Sequence, residues 1–174
     1  MVNIITGSDL SNMDFIADNV FYIEKSIIYT KLKGIRTVEF IRAKGDSLIF
    51  VEAKTAFPKP DNDPSAKEHG RFAIVINEIC EKFVHSLNLY SSVKVGVTET
   101  ELPVDFTPPH RVTLMFVLVI KTHEQEWCRS IEAAIVRVLP IYLHKIWKPT
   151  VLVLNYNTAI KYRLAIKRNE SSNG

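Results

Sequence analysis

Two apolar runs separated by a short polar break dominate the first third of the chain. Residues 35–43 and 48–51 are rich in β-branched and aromatic side chains, and Lys44-Gly45-Asp46-Ser47 lies between them. Gly followed by Asp at the centre of such a break is the signature of a two-residue type II′ hairpin turn. The pattern therefore predicts a β-hairpin over residues 35–55. With Gly45 and Asp46 as the turn, Lys44 opposes Ser47, and counting outward puts Glu39 opposite Glu52. A slip of one residue would move Glu39 to the other face of the hairpin.

Further along, the apolar period changes. Phe72, Val75, Ile76, Ile79, Phe83 and Leu87 recur at helical spacing and predict a helix over 68–89, with Glu78 and Lys82 spaced i, i+4 in the favourable order. Residues 111–121 are almost continuously apolar, as suits a strand buried on both faces. Thr122-His123-Glu124-Gln125 fits a capping box, and a second long helix is expected over 124–147, kinked or ended at Pro140. Residues 15–26 are expected to be a helix, 91–97 a short strand, and 151–155 and 160–167 closing strands. The proline-bearing stretches 56–69 and 99–109 read as loops, and 170–174 as a frayed tail. The order predicts one α/β domain over 1–174, with a mixed central β-sheet flanked by helices.

The predicted register changes the chemistry. Glu52 and Lys54 are two residues apart on a strand and share one face, and Glu39 joins them from the neighbouring strand. Cross-strand Cβ atoms are about 4.5–5.5 Å apart, so two carboxylates facing each other repel unless a cation lies between them. Lys54 is one candidate. A divalent cation such as Mg²⁺, a hard ion held by one or two carboxylates and several waters, is the other. The bland alternative is a surface ion pair worth about 0–1 kcal/mol.

These residues resemble the motif of the PD-(D/E)XK nuclease superfamily, an acid on one strand followed by a D/E-x-K triplet on the next. Glu39 matches the first acid, Glu52 the second and Lys54 the lysine, in the contexts Val38-Glu39-Phe40 and Phe50-Val51-Glu52-Ala53-Lys54-Thr55. Val38 stands in place of the family's Pro, and Glu39 in place of Asp. The resemblance implies a restriction-endonuclease-like fold and a nuclease that uses Mg²⁺ or Mn²⁺ on nucleic acid, with DNA the expected substrate. It implies metal ligands in Glu39, Glu52 and the Ala53 backbone carbonyl, with Glu24, backed by Asp18, matching the family's earlier helical acid. Lys54 would act on the attacking water or on the phosphate. The alternative is a non-catalytic member of the fold, a partner-binding or assembly subunit of a defence or mobile-element system. A second copy of the chain or a separate partner would then supply what one compact domain lacks.

Composition narrows the choice. No apolar stretch approaches a membrane span, and Met1 to Leu10 shows no secretory pattern. Cys80 and Cys128 lie far apart, match no metal-binding spacing and fall in apolar helical patterns. They read as buried free thiols of a reducing cytoplasm. The five histidines form no zinc motif, and GxGxxG, P-loop and GxSxG sequences are absent. A net charge of +3 argues for nucleic acid only if the basic residues cluster. Lys31, Lys33 and Arg36 form one such group; Lys161, Arg163, Lys167 and Arg168 form another, which is equally suited to guarding a sheet edge.

Overall fold

The computed structural model describes residues 4–5, 12–26, 32, 34–59, 70–98 and 102–167. Its centre is a five-stranded mixed sheet in the order β3-β4-β5-β6-β7. The strands are β3 (Val20–Phe21), β4 (Phe40–Lys44), β5 (Ser47–Lys54), β6 (Thr113–Ile120) and β7 (Thr150–Asn155). β3, β4 and β5 run antiparallel, whereas β5, β6 and β7 are parallel. The crossovers contain α1 (Arg71–Lys94) and α2 (Gln125–Val138). A second, three-stranded sheet joins β1 (Ile4–Ile5), β2 (Asp14–Ile16) and β8 (Ala165–Ile166). The fold is thus α/β with a mixed central sheet flanked by helices.

The hairpin forms in the expected register. Lys44 pairs with Ser47, and regular pairing continues to Phe40 and Val51. Gly45 has φ +56°, while Asp46 does not enter the positive-φ region, the combination a type II′ turn requires. The expected strand over 35–43 is shorter, beginning only at Phe40. The Glu39 amide donates to the Val51 carbonyl at 3.1 Å, the carbonyl opposite Phe40. Two residues then face one, as in a β-bulge, and the chain bends off the ladder. Just before it, the Val38 amide donates to Ser86 Oγ of α1 at 2.8 Å.

The period-two alternation of β5 divides the core. Leu48 and Phe50 face the side covered by α1 and α2, where Phe83 stacks on Phe116 with centroids 4.6 Å apart. Ile49, Val51 and Ala53 face the opposite side, with Phe15, Phe40 and Leu164. Both cysteines are buried and free. Burial pushes the Cys80 thiol up to about 12 and the Cys128 thiol up to about 11. No helix among the described residues is long and apolar enough to cross a membrane.

Several elements differ from expectation. Residues 15–26 form no helix. Asp14–Ile16 and Val20–Phe21 are strands, because Asn19 at φ 53° turns the chain between them and aromatic and β-branched side chains pack on the sheets. No strand forms over 91–97, since Tyr90 and Val93 extend the buried stripe of α1 to Lys94. Gly96 at φ +77° then ends the helix: the Val97 amide reaches the Ser92 carbonyl and the Gly96 amide the Val93 carbonyl, a Schellman motif.

The capping box at Thr122 is not made. Helix α2 starts at Gln125 without a side-chain cap, and Thr122 Oγ1 donates to the Thr55 carbonyl at 2.9 Å. Helix α2 ends before Pro140, as expected, and a π-helical turn follows over Leu143–Trp147. The expected strand 160–167 is mostly not strand: residues 160–161 end a short helix and residues 162–164 turn the chain. Asn155 caps α3 (Tyr156–Lys161) by accepting the Thr158 amide at 2.8 Å, and only Ala165–Ile166 pair as a strand. Lys31, Lys33, Arg168, the loop over 60–69 and the tail over 170–174 lie outside the described residues.

The outer border of β7 is occupied by side chains of α2. Gln125 Nε2 donates to the Val153 carbonyl at 3.1 Å, and its Oε1 accepts the Asn155 amide at 3.0 Å. Glu132 Oε2 accepts the Val153 amide at 3.0 Å.

Candidate active site

Strand β5 carries one carboxylate in a run of apolar side chains, and that carboxylate is fully buried. Glu52 has 0% relative exposure. Alternation places its side chain with Leu48 and Phe50, beneath α1. An isolated carboxylate there would carry a large desolvation penalty. Two lysines offset it. Lys82 Nζ, from α1, donates to Glu52 Oε1 at 2.7 Å, and Lys54 Nζ lies 3.2 Å from the same oxygen. The second oxygen, Oε2, is buried without a hydrogen-bond partner.

The first acid joins them from across the bulge. Glu39 is half-buried, hydrogen-bonds the Glu24 side chain and feels the charges of Glu52, Glu24 and Lys82. Burial, the contact with Glu24 and repulsion from Glu52 push its carboxyl up to about 9, so it holds a proton at neutral pH. Burial also raises the Glu52 pKa, and Lys82 and Lys54 pull it back only in part. Burial works against the Lys82 ammonium, but Glu52 overrides it and the net shift is upward.

Each expected residue can now be placed. Glu52 and Lys54 share a face and touch. Glu39 lies on that side, displaced by the bulge from regular pairing with Glu52. Glu24 is present, but from the bend that follows β3 rather than from a helix. Asp18 lies elsewhere, close to Arg42. Residues 47, 49 and 51 turn their backbone polar groups toward β4, so the Ala53 carbonyl is directed to that side too, beyond the last paired residue. Glu78, four residues before Lys82, pairs with Arg36 at 2.8 Å instead.

Lys82 is the residue that local spacing misread. Read along the helix alone, it belongs to Glu78. Its position beside the buried stripe, three residues from Ile79 and one from Phe83, was the signal that it faces the sheet.

The donors suit a hard divalent cation: carboxylate oxygens, one of them buried and unpartnered, with an adjacent acid whose pKa is raised chiefly by burial and which Lys82 offsets only in part. Among the described residues, no three acidic, histidine or cysteine side chains are grouped tightly enough to form a ready-made ligand set.

A cleft of about 460 Å³, floored by Ile49, Val117 and Leu154 and edged by Arg42, lies on the opposite sheet face, by the Gly45 turn. It is separate from this chemistry. Comparison of the chain with protein families, with curated proteins and with solved structures found no match.

Proposed function

We propose that the protein is a metal-dependent nuclease with a restriction-endonuclease-like core, acting on DNA. The observation that carries this reading is Glu52, a carboxylate with no exposure, two lysines on one oxygen and no partner on the other. Such an arrangement is costly for stability alone, and perturbed buried carboxylates cluster at functional sites. The strand order supports it, with an antiparallel hairpin ending in Glu-x-Lys and followed by a parallel crossover through α1.

Glu52, Glu39, Glu24 and the Ala53 carbonyl would hold Mg²⁺ or Mn²⁺. Bound there, the ion supplies Lewis-acid polarisation of a phosphate and a lower pKa for a coordinated water. Lys54, partly exposed beside Glu52, orients the attacking water or stabilises charge developing on the phosphate. Lys82, deeper in the protein, balances the charge of Glu52.

One observation favours a non-catalytic member of the same fold. Lys82 already neutralises Glu52, as a cation fixed in place of a metal would. Cleavage assays on single- and double-stranded DNA and RNA with Mg²⁺ or Mn²⁺ separate the two readings. The nuclease reading expects metal-dependent cleavage that Lys54→Ala abolishes. Wild-type protein that binds no divalent ion and cleaves no nucleic acid would leave the non-catalytic reading.

A further inference from the structure

Beyond the carboxyl ends of β5 and β6, helix α2 turns an aromatic ring toward a cavity. The Lys54 carbonyl accepts the Lys121 amide at 2.9 Å and the Thr55 carbonyl the Thr122 amide at 3.1 Å. The next residue, His123, meets Trp127 of α2 edge-on, with centroids 5.8 Å apart. Trp127 is 44% exposed, so part of its indole is open to a ligand. Lys59 places its ammonium 4.2 Å from the Trp127 ring centroid. Together with Pro58, Glu126 and Ser130, these residues line a cavity of about 330 Å³.

The cavity's place in the fold matters as much as its lining. Strands β5, β6 and β7 are parallel, and their carboxyl ends lie together. Ligands of open α/β sheets bind outside those ends. The cavity opens there, one short turn of chain from Lys54.

An exposed indole beside a lysine ammonium is the combination that binds unpaired nucleobases without sequence preference, the ring stacking on the base and the cation meeting the backbone. We propose that Trp127 is a stacking platform for an unpaired base of single-stranded nucleic acid, with Lys59 contacting the adjoining phosphate. This rests on the nuclease reading of the Glu52 site and names its substrate form. The cation–π contact is weak at an exposed site, so Lys59 can leave the ring when a base arrives. A base-paired nucleotide has both faces covered by its neighbours and offers no face to Trp127.

The test is binding without cleavage. Labelled oligodeoxythymidylate and a duplex of equal length are titrated with protein in EDTA, read by fluorescence anisotropy. Base–aromatic stacking corresponds to about 5- to 150-fold in affinity, so Trp127→Ala should weaken single-strand binding by about 10-fold or more. Trp127→Phe should retain most of it. Ser130→Glu, an exposed position on the cavity wall, should also weaken it, through charge, without touching the core. Duplex binding should not change.

Unchanged single-strand affinity in Trp127→Ala would overturn the proposal, as would an equal loss for single strand and duplex. A protein that binds the single strand through Trp127 yet never cleaves would overturn the nuclease reading and keep the platform. A protein that cleaves normally as Trp127→Ala would do the reverse.

Discussion

Lys82 and Lys54 share one oxygen of Glu52, at 2.7 and 3.2 Å, but they sit at different depths. The Lys82 side chain is 16% exposed and that of Lys54 is 35% exposed. The same contact therefore has two energetic meanings, one buried and one screened by solvent.

Removing the buried partner should cost far more stability. Lys82→Ala leaves Glu52 without its nearest cation, and breaking a buried pair costs about 3–5 kcal/mol. Lys54→Ala should cost about 1 kcal/mol or less. Combining Lys82→Met with Glu52→Gln should recover most of the loss, since no uncompensated charge is left. Urea denaturation at neutral pH measures all three. Equal losses for the two single variants would show that depth does not separate the lysines.

Activity should reverse that order. Lys54 is the ammonium with access to solvent, so Lys54→Ala should lower metal-dependent cleavage by about 10²–10³-fold while the protein stays folded. Single-turnover kinetics beside circular dichroism checks this. Full cleavage by the variant would remove Lys54 from the chemistry.

The Glu39 proton should appear in the pH dependence of stability. The folded protein holds this proton up to about pH 9, whereas an ordinary glutamate releases it near 4.5. Between those values the folded state binds more protons than the unfolded state, so this contribution is lost as pH rises. It is complete below the unfolded value and gone above the folded one. Metal-free wild-type protein should become less stable relative to Glu39→Gln from pH 5 to pH 9. Parallel midpoint curves for the two proteins would refute the assignment.

Divalent ions should act in the opposite sense. A metal bound by Glu39 and Glu52 must displace the proton, so stabilisation by Mg²⁺ or Mn²⁺ should grow with pH. Glu39→Gln should abolish that stabilisation. Thermal melts with and without the ions provide the readout. A metal shift that persists in Glu39→Gln would place the ligands elsewhere.

The parts of the fold legible in the sequence were those governed by local rules. Gly45-Asp46 set the hairpin turn, the apolar period set α1, and the unbroken apolar run set β6. Errors arose where tertiary partners decide. The stretch after Met13 has helical spacing but belongs to two sheets, and Asn19 at positive φ makes the break between them. Residues 91–97 look strand-like, yet α1 continues until Gly96 permits a left-handed turn. At the site, the shared face of Glu52 and Lys54 was legible from strand alternation, whereas the expected pairing of Glu39 with Glu52 gives way to the bulge at Phe40. Lys82 was not legible, since its partner is 30 positions away and on another element.

The clasp of Gln125 and Glu132 on β7 bears on how copies of the protein can meet. A border strand normally offers an open template of amides and carbonyls on which another chain can crystallise. Here the template is already written over at Val153 and Asn155 by the chain's own helix. Splicing two sheets into one along this side would first have to displace these side chains from Val153 and Asn155. The two polar residues thus leave a second chain no free amide or carbonyl at Val153, and cutting both back to Ala would bare that stretch of the border.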